Sequence, residues 1–204
     1  MRQRITIIDD FLDSPYKLRK EALGAEYAAD DGKTYPGKNS LHSHLTEEIL
    51  SKSQFVFGKE LVPSKGSACG QFRLSLANDS FLQDVHVDND TDIAGVLYLN
   101  SPQHCIPEAG TSFWRHNKLQ MDRCPENLIE GKCYGFTEFE EIYNEIICKD
   151  GLDRSLWTRY AYAPMKYNRV VFFDPLLWHS HGDNFGTNLQ NGRLVMVLFF
   201  DFKK

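Results

Sequence analysis

Gln71-Phe72-Arg73-Leu74-Ser75-Leu76 alternates polar and apolar residues at a period of two. That is the pattern of a strand with one face against a core. Downstream, Ile93 to Leu99 is a near-continuous apolar run, as expected of a strand buried on both faces. Thr111-Ser112-Phe113-Trp114 follows a glycine, and Arg169 to Asp174 and Leu194 to Phe200 supply two more strands. Upstream, Ile5 to Ile8 reads as a short strand. Ser14 and Pro15 read as the N-cap and first residue of a short amphipathic helix that stops at Gly24. Residues 28–45, with Asp30-Asp31-Gly32 and Tyr35-Pro36-Gly37-Lys38-Asn39, are rich in turn formers, and Thr46-Glu47-Glu48 opens a second helix.

One helix interrupts the strands. Thr137 and Glu140 form a capping-box pair, and Phe139, Ile142, Tyr143, Ile146 and Ile147 recur at helical spacing. Residues 117–165 are therefore expected to be a helical insertion, a scaffold or lid rather than a second domain. Helices first and short strands after point to an α+β fold whose core is an antiparallel sandwich or jelly roll. The expected organisation is one domain over 1–204. Residues 1–68 would be helical and loop support, and 69–204 the core with its insertion.

Composition narrows the function classes. At 204 residues, 42% of them hydrophobic, the chain is long enough to bury a proper core. A net charge of −5 with no dense Lys/Arg block leaves a duplex nucleic-acid role without its electrostatic footprint. The longest apolar run, Leu194 to Phe200, is far below the ~20 residues that span a bilayer. Ile5-Thr6-Ile7-Ile8, after Met1-Arg2-Gln3-Arg4, is too short for a signal-peptide core. Cys69, Cys105, Cys124, Cys133 and Cys148 are odd in number and hold no Cys-x-x-Cys pair. They read as free thiols of a reducing, cytoplasmic compartment.

The chemistry centres on His86-Val87-Asp88. In an extended chain His86 and Asp88 share a face, and an imidazole beside a carboxylate suits a first-row metal. Seven His and sixteen Asp give roughly 0.5 His-x-Asp pairs by composition alone, and His181-Gly182-Asp183 is a second one. The motif therefore carries weight only through its context. His179 ends the strand-like run Val170 to Trp178, and Arg193 heads the next strand. His-x-Asp, a long gap, His and then Arg is the chain order of a 2-His-1-carboxylate site for non-haem Fe(II). On spacing alone His181 fits the distal position as well as His179.

These segments resemble the Fe(II)/2-oxoglutarate-dependent dioxygenase superfamily, of the prolyl-hydroxylase-like type. The resemblance rests on His86-Val87-Asp88, Ala94 to Asn100, Glu108-Ala109-Gly110-Thr111-Ser112-Phe113-Trp114, Asn168 to Asp174, Trp178-His179-Ser180 and Gly192-Arg193-Leu194. Ile7-Ile8-Asp9-Asp10-Phe11-Leu12 adds a typical opening. Ala109 stands where the family has the first Gly of a Gly-Gly element, and the 117–165 insertion is long. The resemblance implies a double-stranded β-helix with iron held by His86, Asp88 and His179. It implies 2-oxoglutarate and O2 as co-reactants, with Arg193 holding the distal carboxylate. Asp88, absent from halogenating relatives, points to hydroxylation of a small molecule or amino-acid side chain, with release of succinate and CO2.

Further candidates are less specific. Arg73 and Ser75 share a strand face and are expected, with Tyr98, to help bind the cosubstrate. Thr111, Trp114, His116 and His181 are candidate substrate-pocket residues. Competing readings are an exposed polar pair at His86 and Asp88, core packing for Trp114 and a surface cation at Arg193. At the level of function they are a cupin-like metalloenzyme without 2-oxoglutarate, kept open by His179-Ser180-His181, and a non-catalytic jelly-roll binding module. The acidic stretch Asp84 to Asp92 favours a neutral or cationic substrate, whether small molecule or peptide.

Overall fold

A computed structural model describes residues 5–29, 36–79 and 84–203. Along them run β1 (Ile5–Ile8), β2 (Lys38–Asn39), β3 (Leu61–Pro63), β4 (Phe72–Ser75) and β5 (Ile93–Tyr98). β6 (Thr111–His116), β7 (Trp157–Ala163), β8 (Val170–Phe173), β9 (His179–His181) and β10 (Arg193–Phe202) follow. The helices are α1 (Pro15–Gly24), α2 (Glu47–Phe57), α3 (Leu128–Lys132) and α4 (Phe139–Glu141), the last continuing as a wider π-helix over Ile142–Lys149. Asp30 to Tyr35 of the turn-rich stretch and the Phe139 side chain lie outside the described residues.

The strands form two antiparallel sheets. The larger has the order β1-β8-β5-β10-β4-β2, with β3 paired to the far end of β10; the smaller is β7-β6-β9. Alternation assigns the faces. Phe72, Leu74, Leu97, Phe172, Leu194, Met196 and Leu198 point to one side and pack on Leu18 and Ala22 of α1 and Ile49 of α2. Ala94, Tyr98, Val171, Phe173, Val195 and Val197 point to the other and meet Phe113 and Ala163 of the smaller sheet. The central strands of the larger sheet are thus covered on both faces, which is why their sequences run continuously apolar.

The helices start much as expected. Pro15 opens α1, though Ser14 contributes its main-chain carbonyl to Lys17 N rather than a side-chain cap. The Thr46 hydroxyl accepts the Ile49 N–H at 3.2 Å and caps α2. Ahead of α4 the carboxylate that reaches back to Thr137 is Glu141, at 2.7 Å from its N and 2.8 Å from its hydroxyl, not Glu140. Ile142, Ile146 and Ile147 are buried, while Tyr143 is exposed.

Two expectations change. Trp157–Ala163 is not part of an insertion reaching 165 but β7, the partner of β6 along its whole length. Its solvent-facing Thr158, Arg159 and Tyr160, three in a row, hide the period of two, and the register shifts between Phe113 and Trp114. The run Val170 to Trp178 is not one strand either. β8 stops at Phe173, Asp174 makes a turn by accepting Leu176 N at 3.0 Å, and the chain crosses to the smaller sheet before His179. Among the described residues no helix is long and apolar enough to cross a membrane.

Candidate metal centre

β9 is placed by β6, with His179 opposite Phe113 and His181 opposite Thr111. His86 lies outside the named strands and forms an antiparallel bridge with His179. His86 N donates to His179 O at 2.9 Å and His179 N to His86 O at 3.0 Å. The Asp88 N–H donates to Pro175 O at 2.9 Å, fixing the second ligand of this segment against the β8–β9 crossing. Cross-strand pairing brings the two imidazoles to 4.4 Å between ring centroids.

The donor atoms converge. One ligand atom from each of His86, Asp88 and His179 lies within 4.8 Å of the other two. Asp88 Oδ2 is 3.2 Å from His179 Nε2, and Asp88 Oδ1 is 4.0 Å from His86 Nε2. Metal bonds of ~2.1 Å at right angles put neighbouring ligand atoms ~3 Å apart, so the set fits one ion with little movement. The tautomers agree. His86 Nδ1 donates to Asp84 O and His179 Nδ1 to Leu177 O, each at 2.8 Å. A carbonyl only accepts, so both Nδ1 atoms carry a proton and both Nε2 atoms face Asp88, the nitrogens a metal would use.

The protonation states agree too. Burial, with the His179 imidazole beside it, pushes His86 down to about 4. Burial alone would raise the Asp88 carboxyl, but the His179 and His86 imidazoles and Arg73 hold it below the usual carboxylate range. At neutral pH the site therefore offers a neutral His86 imidazole and a carboxylate, the forms that bind a metal. These residues fit a divalent cation with a preference for mixed nitrogen and oxygen donors.

The triad stands in the wall of a cavity of about 200 Å³ between the sheets. β4 contributes Arg73 and Ser75, β6 Thr111, β9 His179 and His181, and β10 Arg193, Val195, Val197 and Phe199. Arg193 is 4% exposed, and its Nε donates to Ala109 O at 3.1 Å. Burial pulls its pKa below the ordinary guanidinium value, and no carboxylate among the described residues offsets that. The guanidinium remains charged at neutral pH, so the cavity contains a desolvated cation whose complement is an anion. Arg73 Nε donates to Asn39 Oδ1 at 2.8 Å and the Ser75 hydroxyl to Pro36 O at 3.2 Å, tying β4 to β2 and to the residue two places before it.

Other sequence candidates fall elsewhere. The Tyr98 hydroxyl, buried and pushed up to about 12, sits 2.7 Å from the Thr111 hydroxyl and lies behind the wall rather than in it. Trp114 donates from Nε1 to the Ser180 hydroxyl at 2.9 Å, and His116 bonds Asp150 at 3.0 Å; neither lines the cavity. His181 does line it, with Nδ1 2.6 Å from Gly182 O, but stands apart from the three converging donors. Burial and then the Arg193 charge push His181 down to about 3, so it is neutral. The acidic stretch is less open than it reads: Arg154 grips the Asp84 carboxylate and the Asp92 carboxylate accepts Phe202 N. The apolar wall from Val195 to Phe199 had no distinguishing signal, because a pocket wall and a core strand share one pattern.

The model of a family of unknown function (DUF6445) matches residues 1–200. No curated protein sequence matches the chain. Among solved structures, the non-heme alpha ketoglutarate dependent epimerase SnoN from nogalamycin biosynthesis is similar at a TM-score of 0.57 and 15% identity, over 98% of this chain and 79% of that one. HygX from Streptomyces hygroscopicus, with nickel, 2-oxoglutarate and hygromycin B bound, is similar at 0.58 and 11%, over 98% and 83%. The non-heme alpha ketoglutarate dependent carbocyclase SnoK, also from nogalamycin biosynthesis, is similar at 0.56 and 14%, over 98% and 81%. The fold of this chain is that of the Fe(II)/2-oxoglutarate-dependent oxygenases.

Proposed function

We propose that this chain, which belongs to the family of unknown function DUF6445, is a non-haem Fe(II)- and 2-oxoglutarate-dependent oxygenase that hydroxylates a small molecule or an amino-acid side chain. The observation that carries the reading is one cavity with two features: the converging His86, Asp88 and His179 donors, and the buried Arg193 guanidinium without a counter-charge among the described residues. On this reading the two facing sheets form a double-stranded β-helix.

His86 Nε2, Asp88 and His179 Nε2 would hold Fe(II) on one face and leave the cavity side open. Iron with 2-oxoglutarate and O2 supplies the oxidising power, with succinate and CO2 as co-products. The chain's own work is positional. Arg193 presents a planar fork suited to the distal carboxylate of a dicarboxylate. Ser75, opposite Arg193 in the β4–β10 register, offers a hydroxyl beside it. Val195, Val197 and Phe199 keep that wall dry, which strengthens the charge pairing. Thr111 and His181, adjacent on β6 and β9, give the substrate side neutral polar groups. Arg73 adds a cation to the wall, so the substrate is not restricted to neutral or cationic molecules. The similar solved structures include an epimerase and a carbocyclase; Asp88 as the third ligand argues for hydroxylation over halogenation, and the gain of one oxygen atom in the product separates hydroxylation from the other two.

The test is an anaerobic titration of 2-oxoglutarate into the Fe(II)-loaded protein, read by the weak visible charge-transfer band. Wild type and His181→Ala are expected to show the band and His179→Ala to lose it. Succinate release and the gain of one oxygen atom then screen substrates. Iron-loaded wild type with no band at saturating 2-oxoglutarate refutes the reading.

A further inference from the structure

The segment between β6 and β7 touches the rest of the chain at the metal-ligand segment. Asp150 anchors it to the smaller sheet: its carboxylate bonds His116 Nε2 at 3.0 Å, and its carbonyl accepts Trp157 Nε1 at 2.9 Å. His116 Nδ1 accepts the Leu119 N–H at 3.2 Å, so Nε2 is the protonated nitrogen and donates to Asp150. Beyond this anchor the chain turns onto residues 84–86. Gly151 O accepts Val85 N at 3.0 Å, and a Cβ on Gly151 would stand 2.6 Å from the Val85 carbonyl oxygen. Arg154 then forks onto Asp84, Nε to Oδ2 at 2.5 Å and Nη2 to Oδ1 at 2.9 Å. The Asp84 side chain is only 5% exposed, whereas Arg154 is about half out and lies over the Trp114 ring. The main-chain carbonyl of the same Asp84 accepts His86 Nδ1.

We propose that Arg154 is a positioning residue for the metal centre, acting through Asp84 on His86. The inference rests on the metal reading above. His86 belongs to no named strand, and the bridge to His179 is its one ladder contact among the described residues. β6 places His179 through β9, and its last residue, His116, places Asp150. Both imidazoles are thereby referenced to one strand, His86 by way of Asp150, Gly151, Arg154 and Asp84. Without Arg154 the Asp84 carboxylate is buried with no cation paired to it among the described residues, a costly state relieved by moving out to water. That movement carries off the carbonyl that sets the His86 ring. The insertion is then part of the site's machinery and not only a cover over the fold.

The test is Mn(II) binding to the full chain, read by the electron paramagnetic resonance signal of free Mn(II), far below the thermal midpoint. There the folded state is fully populated, so a loss of global stability alone leaves occupancy unchanged. Arg154→Ala is expected to raise the Mn(II) Kd by ~10-fold or more, the usual cost of losing a group that orients a ligating histidine. Arg154→Lys keeps a charge for Asp84 without the fork and is expected to recover part of the loss. Lys149→Ala, which removes the exposed pair with Glu145 on the same insertion and leaves the Arg154–Asp84 fork in place, is expected to bind as wild type. Arg154→Ala with a Kd within about twofold of wild type overturns the inference and leaves the metal site standing. If Arg154→Ala does not fold, Arg154→Lys decides by the same threshold. Wild type that binds no Mn(II) overturns both the metal site and this inference.

Discussion

Replacing Arg193 by Met should make the protein more stable and, on the proposed function, weaken its binding of 2-oxoglutarate, two effects of opposite sign from one buried charge. Arg193 is 4% exposed, bonds Ala109 O through Nε and meets no carboxylate among the described residues. A desolvated ion costs several kcal/mol even after relaxation, and an apolar side chain of similar length removes that cost. One hydrogen bond to Ala109 is lost in exchange, worth about 1 kcal/mol. The net expectation is a gain of about 1–3 kcal/mol in the metal-free, cosubstrate-free protein. In a chain of this size each kcal/mol moves Tm by about 2–4 °C. Binding changes the other way. Truncating one partner of a buried, charge-assisted fork costs about 3 kcal/mol, which at about 1.4 kcal/mol per decade is a ~100-fold weaker Kd for 2-oxoglutarate. Thermal melts of the free protein and calorimetric titration of 2-oxoglutarate into the Mn(II)-loaded protein read the two effects separately. A variant that melts lower than wild type and still binds 2-oxoglutarate within about threefold refutes the reasoning.

Two further outcomes test the frame around the site. The Asp9 carboxylate ties β1 to the loop before β8 through Arg169 and Lys166, and these two cations hold its pKa down at about 2. A depressed carboxylate stabilises the fold above its unfolded value of ~3.9 and loses that contribution as pH falls towards 2. The stability difference between wild type and Asp9→Asn should be level near neutrality and shrink between about pH 4 and 2; because the carboxylate is more than a third exposed, the whole contribution is about 1 kcal/mol or less. Urea unfolding at several pH values checks this, and a difference that grows on acidification contradicts it. Gly182→Ala places a Cβ 2.4 Å from the Ala109 carbonyl carbon, against main chain that cannot move aside. A loss of about 1–3 kcal/mol is expected by urea midpoint, and a neutral result would show that the β9 end can shift.

The strands that were legible are those whose two faces meet different neighbours, or the same kind of neighbour on both sides. Phe72 to Ser75 alternates because Phe72 and Leu74 face the helices while Arg73 and Ser75 face the cavity. Ile93 to Tyr98 is continuously apolar because both of its faces are covered. β7 was not legible because Thr158, Arg159 and Tyr160 are all solvent-facing beside a register shift in its partner. The β8–β9 crossing was not legible because Leu177 and Trp178 are buried by packing outside any strand, so hydrophobicity continues where the ladder stops. Trp114 and His116 lie on the strand expected to line the pocket, yet the Ser180 hydroxyl and Asp150 take up their polar atoms.

The strand periodicities, the α+β order and the residue types able to bind a metal and an anion are all readable along the chain. Those properties are local: a side chain's face follows from its place in the period, and its donor atoms from its chemistry. Which donors meet depends on the folded arrangement. His179 rather than His181 faces His86 and Asp88 because His179 is the residue that exchanges both main-chain hydrogen bonds with His86. Arg193 shares their cavity because β10 lies between β5 and β4 in the larger sheet. Register and strand order join segments distant along the chain, and no local pattern encodes a pairing whose partner lies elsewhere.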